Sequence, residues 1–329
     1  MPQWPLGHDV FHFSAVKSTP ASVARIRFWG VRGSIPTPGA STVRYGGNTS
    51  CVEIRADNEI IILDAGSGIR LLGQALEEEF GSEPIKLALL ISHTHWDHIQ
   101  GLPFFLPAYG SKNQLRVFGY DGTRTRLGEI LAGQMETPFF PVSMSDLPGK
   151  IEVEELRANE FQIGKVRVRS KLLNHPGVCA GYRIYTSAGS IAYMPDNEPF
   201  EHLDVQLRNR GANNTGHKYK SPAQERSDLL EFLHGVDVLI LDAQYTDEEY
   251  RRHIGWGHGS ISSVVALALD AEAKRLVLFH HDPDHDDATL DEIVKYARRQ
   301  IAEKGSSMTV EAAKEGTELI LGGSSVETA

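Results

Sequence analysis

Residues His93-Thr94-His95-Trp96-Asp97-His98 constrain this chain more than any other stretch, because three imidazoles and a carboxylate lie within six residues, directly after the apolar run Lys86-Leu87-Ala88-Leu89-Leu90-Ile91-Ser92. A short apolar run of that kind reads as a buried strand. Four groups able to bind a cation therefore leave the carboxyl end of one strand, where the ligand sites of layered α/β folds collect. Imidazole nitrogen and carboxylate oxygen suit Zn(II), Mn(II) or Fe(II). Neighbours such as Asp97 and His98 point in different directions, so a single ion does not gather all four. Two ions close together do, one taking His93 and His95 and the other Asp97 and His98.

From residue 25 onward, short β-rich runs alternate with Gly and Pro, and residues 25–29, 51–55, 59–64 and 86–92 read as the first four strands. Residues 69–80 read as an amphipathic helix that sets Leu71, Leu72, Ala75, Leu76 and Phe80 against Glu77, Glu78 and Glu79 and stops at Gly81. Beyond the hexapeptide, 99–109 is apolar and aromatic, 115–118 is a strand, 123–136 a helix, and 139–142 a loop that exposes Phe139 and Phe140. The second half repeats this grammar. Strands are expected at 151–156, 165–173, 181–186, 190–194, 236–242, 275–280 and 317–321, and helices at 227–234, 260–273 and 289–304, with Ser260 as an N-cap. A length of 329 residues suggests about two domains. Two β-rich halves, each with helices, instead fit two sheets packed face to face with helices outside. The expected architecture is a four-layer αββα sandwich of two mixed β-sheets, forming one domain over 25–323 between an N-terminal extension (1–24) and a C-terminal tail (324–329).

Composition narrows the partners. A formal net charge of −10 argues against gripping duplex nucleic acid by bulk electrostatics, although a dinuclear site still holds one phosphate locally. Cys51 and Cys179 are too few for a disulfide framework, the first residues contain no signal-like apolar core, and no uncharged apolar run reaches membrane length. A reduced, cytoplasmic protein with no membrane partner is expected. His8 and His12 lie among Trp4, Phe11 and Phe13, a stretch that reads as a tail packed on the body or on a neighbouring subunit, so a homodimer is one expected assembly. Residues 206–226, with Arg208, Arg210, Lys218 and Lys220, read as a locally basic loop.

A pair of ions needs more than four protein ligands, and the second half of the chain supplies them at strand ends. His175 follows the strand at 165–173, Asp196 follows 190–194, and His280 and His281 follow Leu276-Val277-Leu278-Phe279. Asp64 and Asp242 also end apolar runs and are candidates to hydrogen-bond a ligand histidine and fix its tautomer. The acidic cluster Asp282, Asp284, His285, Asp286 and Asp287 reads as a turn capping the helix from 289. His258, in Gly255-Trp256-Gly257-His258-Gly259-Ser260, is either a turn histidine packed by Trp256 or a general acid. Asn48, in Gly46-Gly47-Asn48-Thr49-Ser50, belongs to a tight turn or touches substrate. Trp96, Tyr193, Phe139 and Phe140 either fill core or stack on a base.

His-x-His-x-Asp-His at 93–98, followed in order by His175, Asp196 and His280, resembles the metallo-β-lactamase fold superfamily, and with Asp64-Ala65-Gly66-Ser67-Gly68 the resemblance runs from residue 25 to 321. It implies that His93, His95 and His175 hold one divalent cation, that Asp97, His98 and His280 (in preference to His281) hold the other, and that Asp196 bridges them. An aspartate rather than a cysteine at the bridging position is similar to the phosphodiesterase and nuclease branches, and the turn around His258 resembles that of the tRNA 3′-processing endonucleases. Residues 28–36 and 46–50 resemble bacterial cyclic-phosphate and cyclic-nucleotide phosphodiesterases. The resemblance therefore implies a hydrolase with two divalent ions, zinc first and manganese or iron next, acting on a small cyclic phosphodiester such as a cyclic nucleotide. Asp97 is expected to orient the attacking hydroxide, His258 to bind substrate and protonate the leaving oxygen, and Asn48 to contact substrate. An RNA-processing nuclease and a non-hydrolytic metal or redox sensor are the alternatives on the same scaffold, since fold does not fix function.

Overall fold

The computed structural model describes residues 23–122, 125–202 and 220–322. Nearly all of the N-terminal extension, residues 206–219 of the basic loop, the first two residues of the helix expected at 123–136, and the tail 324–329 lie outside the described residues. The chain lays down β1 (Val23–Gly30), β2 (Cys51–Ala56), β3 (Glu59–Leu63), β4 (Lys86–Leu90), β5 (Gln114–Gly119) and β6 (Lys150–Glu155). It continues with β7 (Glu160–Ile163), β8 (Val166–Leu172), β9 (Ala180–Thr186), β10 (Gly189–Met194), β11 (Val238–Asp242), β12 (Arg275–Phe279) and β13 (Thr309–Ala312), and β14 (Glu318–Gly322) returns to the start. One seven-stranded sheet runs β14-β1-β2-β3-β4-β5-β6 and the other β13-β12-β11-β10-β9-β8-β7. Parallel pairing of β3 through β6 and of β10 through β13 beside antiparallel neighbours makes both sheets mixed.

Three apolar layers hold these elements together. Between the sheets lie Ile26, Phe28, Val52 and Ile54 from the first and Val166, Tyr182, Val238 and Phe279 from the second. Strand β1 alternates partly and fully buried residues over its first half, whereas Val238-Leu239-Ile240-Leu241-Asp242 is buried throughout because helices cover its other face. Those helices, Pro222–Leu233, Ile261–Asp270 and Asp287–Glu303, pack Leu229, Val264, Val265, Ile293 and Ala297 onto the second sheet. Helices Ile69–Phe80 and Leu127–Gly133 cover the first sheet with Ile69, Leu72, Leu76, Leu127 and Leu131. The result is the helix–sheet–sheet–helix layering expected from the sequence.

Several local expectations differ. In the helix Ile69–Phe80 the buried stripe is Ile69, Leu72, Gly73 and Leu76, at the i, i+3, i+4, i+7 spacing, which leaves Leu71 to one side and exposed. The helix expected at 123–136 spans only Leu127–Gly133, because Asp121 accepts from the Leu127 amide and Glu129 reaches back to the Arg126 amide, fixing the start there. Strands β7 and β13, unread in the sequence, are the two edges of the second sheet, where half-exposed, charge-bearing residues weaken the strand pattern. Among the described residues no helix is long and apolar enough to cross a membrane.

Candidate metal centre

Every residue of the candidate centre except His258 stands at or shortly after the carboxyl end of a strand. Asp64 comes after β3, His93 to His98 after β4, His175 after β8, Asp196 after β10, His258 beyond β11 and His280 after β12, while Asp242 ends β11. The second half of the hexapeptide winds into a single helical turn, Trp96–Ile99, which turns Asp97 and His98 inward and leaves Trp96 80% exposed.

Asp196 lies at the middle of the cluster. Its Oδ2 is 3.5 Å from His93 Nε2 and 3.6 Å from His175 Nε2, while its Oδ1 is 3.3 Å from His98 Nε2 and 3.4 Å from His280 Nε2. Asp97 Oδ2 completes the second set at 3.2 Å from His98 Nε2 and 3.0 Å from His280 Nε2. His95 joins the first set, with its Nδ1 3.1 Å from His175 Nε2. The structure thus brings together His93, His95, His175 and Asp196 as one group able to hold a cation, Asp97, His98 and His280 as another, and Asp196, His258 and His280 as a third that shares a residue with each. The donor set fits such ions on a further ground. His93 Nε2, His98 Nε2 and Asp196 Oδ1 are buried without a hydrogen-bond partner, a costly state that a divalent cation between them relieves.

The far nitrogens of these rings are tied down, which sets their tautomers and aims. His98 Nδ1 sits 2.7 Å from Asp64 Oδ2, His93 Nδ1 3.1 Å from Ser92 Oγ, His175 Nδ1 3.0 Å from the Gly257 carbonyl, and His280 Nδ1 3.0 Å from Gln244 Oε1. Asp64 itself, fully buried at φ 60°, accepts from the Ser92 amide, the Ser92 hydroxyl and the Tyr193 phenol. Tyr193 is therefore a buried support for Asp64 and does not face a ligand. Burial pushes the pKa of His93 well down and that of His175 to about 3, and it lowers His95 as well, which keeps these imidazoles in the neutral form that binds metal. Burial opposes the charged forms of Asp97 and Asp196 too, but the surrounding imidazoles hold both well below the usual carboxylate range.

His258 lines the same cavity from the opposite loop. Its Nδ1 is 3.0 Å from Asp242 Oδ2, so the carboxylate at the end of β11 orients His258 and not one of the proposed ligands. Burial works against the imidazolium, but Asp242, helped by Asp196 and Asp97, outweighs it and raises the ring to about 9. Trp256 packs against His253 and is itself 60% exposed. The cavity measures about 480 Å³ and is lined by Ser34, Thr94, His95, Trp96, Asp97, Asp196, His258 and His280.

Two residues singled out in the sequence turn away from it. Asn48 donates from Nδ2 to Glu315 and accepts from Ser67, so both ends of its amide are engaged within the protein and it does not line the cavity. His281 sends Nε2 to the Ala313 carbonyl, 2.9 Å away, and its backbone pairs with Val31 and Gly33. Asp286 caps the helix Asp287–Glu303 through Thr289, as expected, but the neighbouring His285 is buried and bonded to Glu249. Phe139 is exposed and Phe140 packs edge-on to Phe104.

Sequence reasoning missed Ser34, Ser92 and Gln244. Ser34 donates its amide to Asp97 Oδ2 over 2.8 Å from a left-handed backbone at φ 63°. Ser92 and Gln244 close apolar runs just as the recognised site residues do, so the strand-end rule reaches them once polar non-ligands are included.

Residues 60–213 match a family model described as the beta-lactamase superfamily domain. A ribonuclease Z of Thermoplasma acidophilum is 24% identical over 309 residues, covering 86% of this chain and 94% of the relative. Among solved structures, the metallo-beta-lactamase fold protein YhfI from Bacillus subtilis superposes with a TM-score of 0.61 at 17% identity, covering 91% of this chain and 99% of that one. A diphosphatase of the PhnP family follows with a TM-score of 0.59 at 18% identity, covering 90% of this chain and 97% of its own.

Proposed function

We propose that this chain, a metal-dependent hydrolase of the beta-lactamase superfamily, cleaves small phosphodiesters at a pair of divalent cations. The observation that carries the reading is the Asp196 carboxylate, whose two oxygens each face a different histidine set. His93, His95 and His175 would hold one cation, Asp97, His98 and His280 the other, with Asp196 shared. Zinc suits this mixture of nitrogen and oxygen donors first, with manganese and iron next. Bound there, divalent cations would supply Lewis acidity, a lower pKa for water at the site and charge neutralisation on the transferring phosphoryl group.

The chain's own groups do the rest. Asp97, steadied by the Ser34 amide, offers a carboxylate at the cavity wall to orient the attacking water. His258 gives its Nδ1–H to Asp242, which leaves Nε2 as the nitrogen that hands a proton to the departing oxygen. A cavity of about 480 Å³ falls in the range of small-molecule sites, and the net charge of −10 disfavours long nucleic acids, so a cyclic nucleotide or similar cyclic diester is the favoured substrate. Cleavage of RNA is the second reading, favoured by the Thermoplasma acidophilum relative named ribonuclease Z, which aligns with 86% of the chain.

The test is metal analysis of the purified protein, followed by assay against cyclic nucleotides, cyclic ribose phosphates, short RNA and a chromogenic lactam. Two equivalents of metal with turnover of a cyclic diester support the proposal. Faster cleavage of short RNA that falls steeply with salt establishes the nuclease reading instead. Bound iron with visible absorbance and no turnover overturns both in favour of a sensor.

A further inference from the structure

Two residues beyond Asp196, the carboxylate of Glu198 is fully buried. Its Oε1 accepts from the Tyr250 phenol at 2.9 Å and the Gly255 amide at 2.6 Å, and its Oε2 accepts from the Gly257 amide at 3.0 Å. On the main chain, the Glu198 amide donates to the Asn174 carbonyl over 2.9 Å, and Asn174 Nδ2 returns a bond to the Glu198 carbonyl. Glu198 therefore touches all three loops that bring His175, Asp196 and His258 together.

The loop it grips most firmly is the one that most needs gripping. Gly255-Trp256-Gly257 precedes His258 directly, and a turn with two glycines has the widest conformational choice of any backbone. Gly257 sits at φ 95°, and a Cβ there would lie 2.2 Å from His175 Nδ1, so no larger residue fits to stiffen the turn from within. The same Gly257 offers its carbonyl to His175 Nδ1 at 3.0 Å. Rigidity must come from outside, and the Glu198 carboxylate holds both glycine amides at once. Charged acceptors make the stronger class of such bonds.

We infer that Glu198 is a positioning residue for the reaction, clamping the 255–257 turn so that the His258 ring is held at the cavity wall. This rests on the phosphodiesterase reading and on His258 as proton donor. A proton donor matters in proportion to the basicity of the leaving group, and that gives a readout which mere structural damage does not imitate.

The test compares the wild type with Glu198→Gln on two aryl phosphodiesters that differ only in leaving group, phenol against p-nitrophenol, with metal content measured on the same samples. Misplacement of a reacting group by about 1 Å costs on the order of 100-fold in rate. The expected result is a loss of that order in kcat/KM on the phenyl ester, at least ten times smaller on the p-nitrophenyl ester, with metal content unchanged. If Glu198→Gln does not fold, Tyr250→Phe removes one donor to the same oxygen and should show a smaller loss with the same dependence on leaving group. Equal losses on both esters, loss of metal, or no loss on either overturns the inference while leaving the phosphodiesterase reading intact. A wild type that hydrolyses neither ester nor any cyclic diester overturns that reading and this inference with it.

Discussion

Gly33 lies flat against the ring of His280, and a Cβ built there would sit 2.4 Å from both Cε1 and Nδ1. Ordinary contact begins at 3.4 Å, so Gly33→Ala forces a displacement of about 1 Å on the loop or on the ring. The loop has little freedom to give way. Arg32, fully buried, donates to the carbonyls of Gly46, Asp282 and His285, Gly33 donates to the His281 carbonyl, and Ser34 donates to Asp97. The ring therefore moves, stretching its 3.0 Å contact with Gln244 and leaving the position from which Nε2 meets Asp97 and Asp196. Metal–ligand distances tolerate shifts of only about 0.2 Å. The expected outcome is loss of one of two bound cations and a fall in kcat/KM on the order of 100-fold. Overpacking should cost about 1–3 kcal/mol in stability. Elemental analysis, steady-state kinetics and a thermal melt on one preparation check all three. As a control, Gly133→Ala, where a Cβ meets nothing within 4 Å, should change none of the catalytic readings. A Gly33→Ala protein with two cations and a rate within about threefold of wild type would refute the claim that His280 is held rigidly for metal binding.

Further outcomes follow from the same geometry. Asp196→Ala removes the group between both histidine sets, so at most one cation per chain should remain and turnover should vanish; retained activity in a metal-replete assay contradicts the dinuclear arrangement. His258→Ala should keep its metal and lose about 10²–10⁴-fold in kcat on substrates with alkoxide leaving groups. Loss of a cation from that variant would instead assign His258 to the ligand set it forms with Asp196 and His280. Ser34→Val places a β-branched residue at φ 63° and should lower stability by about 1–2 kcal/mol, whereas Ser34→Gly should not, as melting temperatures will show. Metal content should hold from pH 7 down to about 4 and fall toward pH 3, because burial lowers His93 and His95 and brings His175 to about 3, so these imidazoles stay in the neutral form that binds metal above that range; loss of metal already between pH 6 and 5 would contradict their burial.

The chain's own order made much of the centre legible. An apolar run followed within two residues by His or Asp is a local signal, and it marks Asp64, His93, His175, Asp196, Asp242 and His280 without reference to any partner. Hydrophobic periodicity likewise reveals the layers, because each helix and central strand must bury a face wherever it packs. Local signals fail where the decision belongs to a distant contact. Whether Asn48 meets substrate or Glu315 depends on a residue 267 positions away. Which of His280 and His281 turns inward depends on the Ala313 carbonyl offered by the neighbouring strand end. Asp242 was legible as a support for a histidine, but only the packing of the 255–259 turn beside β11 decides that the histidine is His258. Sequence by itself determined the kinds of group and the strand ends that carry them. The tertiary structure decided their aim, because a side chain's direction is set by the hydrogen bonds and packing it finds across the fold, and two carboxylate oxygens come to face two histidine sets only when both sheets have closed around Asp196.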